Sequence, residues 1–207
     1  MSGPADSIRN SIRGVMRGIA RQLHALSGGK LHPDMVTLFG LVMHIPIAWL
    51  IAVEHNIWAA ILLVVFGLFD TLDGELARLQ GRASARGMLL DASTDRMKEV
   101  LIYMGAAYAI AMGDFPGEAV WAVAACGASL CVSYIKAKGE SAIASKKNIP
   151  HHELNRIFKD GLAPFEVRMA IVVVGLLVNQ LVFAVGLIAV LATYTAIQRL
   201  ILISRKV

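Results

Sequence analysis

Residues 35–53 read MVTLFGLVMHIPIAWLIAV, nineteen positions without a formal charge. As an α-helix the run is about 28 Å long, close to the roughly 30 Å hydrocarbon core of a bilayer. The rest of the chain is of the same kind. Of its 207 residues, 57% are hydrophobic and only 17% charged, against roughly 25% charged in a soluble domain. A soluble globule of this size can bury a core, but it cannot hide apolar runs this long. Two cysteines rule out a disulfide scaffold, and no sustained heptads support a coiled coil. The class that remains is an all-α integral membrane protein.

Working outward, residues 119–135 form another near-complete span. Residues 56–69 and 101–113 are charge-free but short, so each needs its acidic flank (from Asp70, and from Asp91 to Glu99) to continue as helix. Residues 169–198 are too long for one span and short for two, and Asn179-Gln180 near the centre predicts a turn. The two arms then borrow residues 161–167 and 199–203. All twenty lysines and arginines fall in five places: residues 9–30, 78–98, 136–159, Arg168, and 199–206. The turns near Glu54-His55, Asp114 to Glu118 and Asn179-Gln180 hold none. Basic segments stay cytoplasmic, so this alternation predicts six transmembrane helices in a multi-pass cell-membrane protein with both termini inside. The net charge of +5 then reflects topology and contact with anionic membrane lipids rather than nucleic acid.

Residues 1–29 contain no apolar stretch of signal-peptide type. Ile8, Ile12, Val15, Met16, Ile19, Leu23 and Leu26 recur at helical steps, with a stripe of four arginines beside them. Asp6 or Ser7 is the expected cap and Gly28-Gly29 the stop. The segment reads as an amphipathic juxtamembrane helix in the cytoplasmic interface, although a mitochondrial presequence has similar composition. Residues 30–207 make up the six-helix membrane domain. Cys126 and Cys131 read as buried thiols, and His151-His152 as a solvated loop pair. The loop over residues 142–160 carries no assignable chemistry.

The chemistry concentrates in Asp70-Thr71-Leu72-Asp73-Gly74-Glu75-Leu76-Ala77-Arg78 and, beyond it, Gly87, Asp91 and Asp95. Asp70 and Asp73 are three apart and Asp91 and Asp95 four apart, so each pair shares a helix face. The connection carries Gly81, Arg82, Ser84, Arg86 and Gly87. Two antiparallel helices joined this way aim four carboxylates at one small volume. Such acids coexist only if protonated or neutralised by cations. Oxygen ligands without histidine or cysteine favour magnesium, manganese or calcium over zinc. Two divalent ions balance four carboxylates, and paired ions clamp phosphoryl groups. Gly74 and Gly87 leave room for close approach, and Arg78 suits phosphate. Two other readings stand beside this one. The acids could simply pair with Arg78, Arg82, Arg86 and Arg96, or line the pathway of a divalent-cation transporter.

The pattern Asp70-x2-Asp73-Gly74-x2-Ala77-Arg78-x8-Gly87-x3-Asp91-x3-Asp95 resembles the signature of the CDP-alcohol phosphotransferases at every position. The resemblance implies a six-helix membrane enzyme, a homodimer, that transfers a substituted phosphate from a CDP-linked donor to an alcohol and releases CMP. It further implies that Asp70, Asp73 and Asp91 bind one Mg2+ ion and Asp70, Asp91 and Asp95 a second, with Mn2+ possible at both. Asp95 would also be the general base. Gly74, Arg78 and Ser84, with Gly87, would meet the CDP moiety. His32-Pro33-Asp34-Met35-Val36-Thr37 is similar to a Pro-Asn-x-x-Thr segment that helps hold the nucleotide, with Asp34 in place of Asn. A plain helix N-cap is the other reading of Asp34.

Ser133-Tyr134-Ile135-Lys136-Ala137-Lys138-Gly139-Glu140 and Gly161-Leu162-Ala163-Pro164-Phe165-Glu166-Val167-Arg168 are similar to segments of the inositol-phosphate-using members. The resemblance implies that Lys136, Lys138 and Arg168 grip the phosphate of a phosphorylated polyol acceptor. Inositol 1-phosphate stands ahead of glycerol 3-phosphate, with CDP-diacylglycerol or CDP-archaeol as the lipid donor. Snorkelling at a helix end is the plain reading of the two lysines, and pairing with Glu166 that of Arg168.

Overall fold

A computed structural model describes residues 4–147 and 162–205, and in them the chain is all-helical. The helices are α1 (Pro4–Leu26), α2 (Pro33–Ala52), α3 (Asn56–Gly67), α4 (Phe69–Leu79), α5 (Ala85–Met112), α6 (Ala119–Lys147), α7 (Phe165–Leu177) and α8 (Leu181–Ser204). A 3-10 turn, Pro116–Glu118, precedes α6. Among the described residues, four segments are long and apolar enough to cross a membrane: Pro33–Ala52, Asn56–Leu79, Pro116–Ile143 and Leu181–Ser204. The second joins α3 and α4, which are separated only at Leu68, where the ladder tightens to an i→i+3 bond from Leu68 N–H to Val65 O at 3.2 Å. The other two spans expected from the sequence correspond to α5, which is 28 residues long but carries the acidic flank, and α7, which has only 13 residues.

The acidic flanks continue as helix, as their neighbours required. Asp70 and Asp73 ride on α4, and Asp91 and Asp95 on α5. The connection is tighter than the sequence suggested, because Arg86 and Gly87 already belong to the first turn of α5. Gly81 ends α4 at φ +64°, a left-handed conformation that lets the Arg82 N–H reach Ala77 O at 2.9 Å. Ser84 then caps α5, its Oγ accepting the Gly87 N–H at 3.1 Å. The turn at Asn179-Gln180 is also present: Asn179 has φ +54°, and the Gln180 N–H closes on Gly175 O at 2.7 Å.

The chain divides into two compact units, Met1–Trp49 with Ile61–Leu101, and Leu50–Ala60 with Ile102–Val207. In the first, α1 packs on α4. Met16 and Ala20 bury against Val36, Leu72 and Leu76, with Leu23, Leu31, Leu68 and Phe69 alongside. The apolar stripe read as one face of α1 is therefore divided. Met16, Ala20 and Leu23 face protein, while Ile12, Val15, Ile19 and Leu26 are exposed. The helix also begins at or before Pro4, so Asp6 and Ser7 lie inside it and do not cap it.

In the second unit α6 packs along α8, and α7 against α8. Gly175 permits the closest approach, since a Cβ there would collide with the Ala184 side chain. Tyr103 and Ser129 share a buried hydroxyl pair at 3.1 Å. Cys131 is exposed and Cys126 half-buried, against the expectation of two buried thiols. A face turned outward to lipid and a face turned into protein carry the same apolar residues, so composition does not separate them. His151-His152 and most of the 142–160 loop lie outside the described residues.

Candidate metal and nucleotide site

Three of the four aspartates converge. Single carboxylate oxygens of Asp70, Asp91 and Asp95 all lie within 4.8 Å of one another. The helical steps place Asp91 and Asp95 on one side of α5, and α4 brings Asp70 to them. Asp91 Oδ1 is buried and accepts no hydrogen bond. A buried carboxylate oxygen left unsatisfied costs about 1–3 kcal/mol or more, unless a cation fills the gap.

Asp73 is handled differently. It is buried, and its Oδ2 accepts a hydrogen bond of 2.5 Å from Thr37 Oγ1 on α2. Thr37 also lies 3.3 Å from Pro33 O, but a hydroxyl has one proton and the carboxylate is the nearer and stronger acceptor. Thr37 therefore orients Asp73 rather than merely lining the space. Asp34 does not cap α2. It is the second residue of the helix, its N–H donating to His32 Nδ1 at 3.3 Å.

Lys98 has no place in the motif, yet it sits inside the acidic cluster. Its side chain is 2% exposed, and its ammonium donates to Asp70 Oδ1 and lies 3.4 Å from Asp95 Oδ1. Arg96, which the sequence offered as a partner for the acids, lies 3.9 Å from Asp95 and pairs more closely with Glu99 at 3.1 Å. Arg78 is held by the buried Glu75 at 2.7 Å, and Arg17 of α1 meets the other Glu75 oxygen at 3.1 Å. A Cβ at Gly74 would stand 3.4 Å from Arg78 Nη2, so this glycine opens the space in which the guanidinium lies. Arg82 bonds Gln80 instead of an acid.

Some of these groups border one cavity of about 300 Å³. Asp34 and Thr37 line it from α2, Asp70, Asp73, Gly74 and Arg78 from α4, and Ser84, Gly87 and Asp91 from the connection and α5. Arg13 of α1 lines it too. The sequence had absorbed Arg13 and Arg17 into the arginine stripe of an interfacial helix, although their i, i+4 spacing marks one helix face that an acidic partner can occupy. The cavity lining thus combines carboxylates with guanidinium groups, which suits a metal-bound pyrophosphate. The donor set fits a hard divalent cation: three convergent carboxylates, one buried oxygen still lacking a partner, and no sulfur or imidazole among them.

The residues expected to hold an acceptor phosphate belong to the second unit. Lys136 and Lys138 lie on different faces of α6. Lys136 pairs with Glu140 at 3.7 Å, whereas exposed Lys138 lies over the Tyr134 ring, 5.9 Å from its centroid. Arg168 is fully buried and donates to Ala163 O at 2.7 Å. Arg199, which the sequence reading passed over, is also buried, donates to Val132 O at 3.2 Å, and feels the charges of Arg168 and Glu140. Glu140 pairs with Lys136 and its charge reaches Arg199, which also feels Arg168, whereas Lys138 lies over Tyr134.

The CDP-alcohol phosphatidyltransferase family model matches residues 30–199, and the chain belongs to that family. The phosphatidylinositol phosphate synthase of Corynebacterium glutamicum is 35% identical over 116 residues, which are 55% of this chain and 53% of that relative. The chain thus spans about half the length of that protein. The archaetidylinositol phosphate synthase of Pyrococcus horikoshii is 29% identical over 192 residues, covering 93% of this chain and 92% of the relative.

Among solved structures, the phosphatidylinositol phosphate synthase of Mycobacterium tuberculosis with CDP-DAG bound aligns at a TM-score of 0.77 and 27% identity. The alignment covers 91% of this chain and 93% of that one. A second structure of that enzyme, in complex with manganese and citrate, aligns at 0.77 and 26% identity.

Proposed function

We propose that the chain is an integral membrane phosphatidyltransferase that moves a phosphatidyl or archaetidyl group from a CDP-linked lipid to inositol 1-phosphate and releases CMP. The observation that carries this reading is the convergence of Asp70, Asp91 and Asp95 beside a cavity that also holds Arg78 and Arg13. The names of the relatives support inositol phosphate as the acceptor class.

Asp70, Asp91 and Asp95 would hold one Mg2+, and Asp73 would join Asp70 and Asp91 at a second, with Mn2+ an alternative. Bound there, the ions neutralise the pyrophosphate and make CMP the better leaving group. Arg78, positioned by Glu75, and Ser84, Gly74 and Gly87 receive the CDP moiety, with Asp34 and Thr37 at its other side. The acceptor hydroxyl oxygen bonds to the β-phosphorus, the phosphorus–oxygen bond to CMP breaks with its electrons leaving on CMP, and Asp95 takes the hydroxyl proton. Lys136 and Arg168 grip the acceptor phosphate, with Arg199 adding charge from α8. Lys138 contributes least, because it faces Tyr134.

The topology is six spans with both termini and the aspartates on the cytoplasmic side, supported by the distribution of lysine and arginine. Residues 1–29 are a juxtamembrane helix whose exposed Ile12, Val15, Ile19 and Leu26 enter the lipid interface. Residues 30–207 are the membrane domain, a division supported by the family match from residue 30. Assembly as a homodimer rests on the family resemblance alone.

Metal-dependent CMP release by the purified chain in detergent tests the reading, with CDP-diacylglycerol and CDP-archaeol as donors and a panel of alcohols as acceptors. Release that depends on inositol 1-phosphate is expected. Release with glycerol 3-phosphate alone would reassign the acceptor. No CMP with any acceptor, together with metal flux into proteoliposomes, would return the chain to the transporters.

A further inference from the structure

The acidic cluster contains a cation that its motif does not require. Lys98 lies three residues beyond Asp95, on the same face of α5, and its stem runs inward past α2, where Cε and Nζ pass 3.9 Å from the place a Gly40 Cβ would take. The ammonium ends on Asp70 Oδ1 and near Asp95 Oδ1, and the side chain is 2% exposed. Three ionised aspartates outnumber the one ammonium among them, so the cluster keeps a net negative charge. Burying a lysine is unfavourable unless carboxylates compensate it, and packing carboxylates together is unfavourable unless a cation does. Here each offsets the other.

We propose that Lys98 is a built-in counter-cation of the metal site, which holds Asp70 and Asp95 together before a divalent ion arrives and competes with that ion for the same Asp70 oxygen. The inference rests on the reading of these aspartates as metal ligands. Its physical content is a competition. An oxygen that accepts from an ammonium has less density to offer a metal, so the ion must displace Lys98 or share the ligand with it. Lys98 is therefore a positioning residue, acting through Asp70 and Asp95. It weakens metal binding and keeps the ion exchangeable, while sparing the apo protein an uncompensated cluster of acids.

Mn2+ titration of the full chain in detergent, read from the electron paramagnetic resonance signal of the free ion, tests this without turnover. Four variants are compared with wild type: Lys98→Gln, Lys98→Met, Lys98→Arg and Asp91→Asn. Lys98→Met preserves the apolar stem, so one misfolded neutral variant still leaves a readout. Neutralising Lys98 is expected to tighten Mn2+ binding on the order of ten- to a hundredfold, the range typical of groups that tune ligands from outside the coordination sphere. Lys98→Arg, which retains the charge, is expected to stay within about threefold of wild type. Affinity unchanged or weakened in the folded neutral variants overturns the counter-cation role and leaves the metal reading intact, provided Asp91→Asn still abolishes the site. No Mn2+ binding sensitive to Asp91→Asn in any protein overturns the metal reading, and the counter-cation with it.

Discussion

The acidic site and the basic cluster are built in opposite ways. Asp70, Asp91 and Asp95 come from two consecutive helices joined by a five-residue connection, residues 80–84. Helical periodicity with one Gly81 turn and one Ser84 cap is sufficient to aim them inward. Lys136, Arg168 and Arg199 come from three helices, α6, α7 and α8, so only tertiary packing brings Arg199 within reach of the Arg168 and Glu140 charges. Convergent carboxylates suit a compact ion of high charge, whereas a guanidinium fork and a flexible ammonium suit the larger outline of a phosphate. On the proposed function, local chain geometry secures the chemistry, and long-range packing the choice of acceptor.

The contrast makes its sharpest prediction at the acids. Asp91→Asn removes the negative charge and one of the two oxygens of the carboxylate that lacks a full set of partners, and CMP release is expected to fall about a thousandfold or more, equivalent to at least about 4 kcal/mol of transition-state stabilisation. A loss below tenfold would mean that the trio is not the reacting centre. At the basic cluster, Arg168→Gln is expected to raise the acceptor KM on the order of ten- to a hundredfold while leaving donor affinity within about twofold. Steady-state kinetics with each substrate varied in turn separates the two, and equal damage to both would erase the division of labour.

Smaller effects probe the supports of each region. Thr37→Val leaves buried Asp73 without its donor, at a cost of about 1–3 kcal/mol, readable as lower thermal stability in detergent and weaker nucleotide binding. Gly175→Ala forces α7 away from Ala184, with a comparable loss of about 1–3 kcal/mol confined to stability. Lys138→Gln is expected to change activity by less than about twofold, since an exposed cation over an aromatic ring contributes about 0.5–1 kcal/mol. A loss as large as that of Arg168→Gln would place Lys138 at the acceptor after all.

What could be read from the sequence follows the same line between local and long-range. The helical continuation of both acidic flanks, the stop at Gly28-Gly29 and the turn at Asn179 were all set by residues within one or two turns of each other. So were the spacings that join Asp91 to Asp95. Thr37 was visible as a site residue, but its partner was not, because Asp73 lies thirty-six positions away. Lys98 passed unnoticed since the motif ends at Asp95, although its i+3 position put it on the same face. Glu75 looked like one more helical acid until Arg17 and Arg78 closed on it. The exposed Cys131 shows a further limit, since lipid and protein interior select the same side chains.

Anomalous scattering from crystals grown with Mn2+ and a CDP-linked lipid addresses the central claim most directly. The account predicts a peak about 2.1 Å from oxygens of Asp70, Asp91 and Asp95, with the Lys98 ammonium withdrawn from Asp70. Nucleotide seated in the cavity with no anomalous peak among those carboxylates, and Lys98 still bound to Asp70, would contradict it.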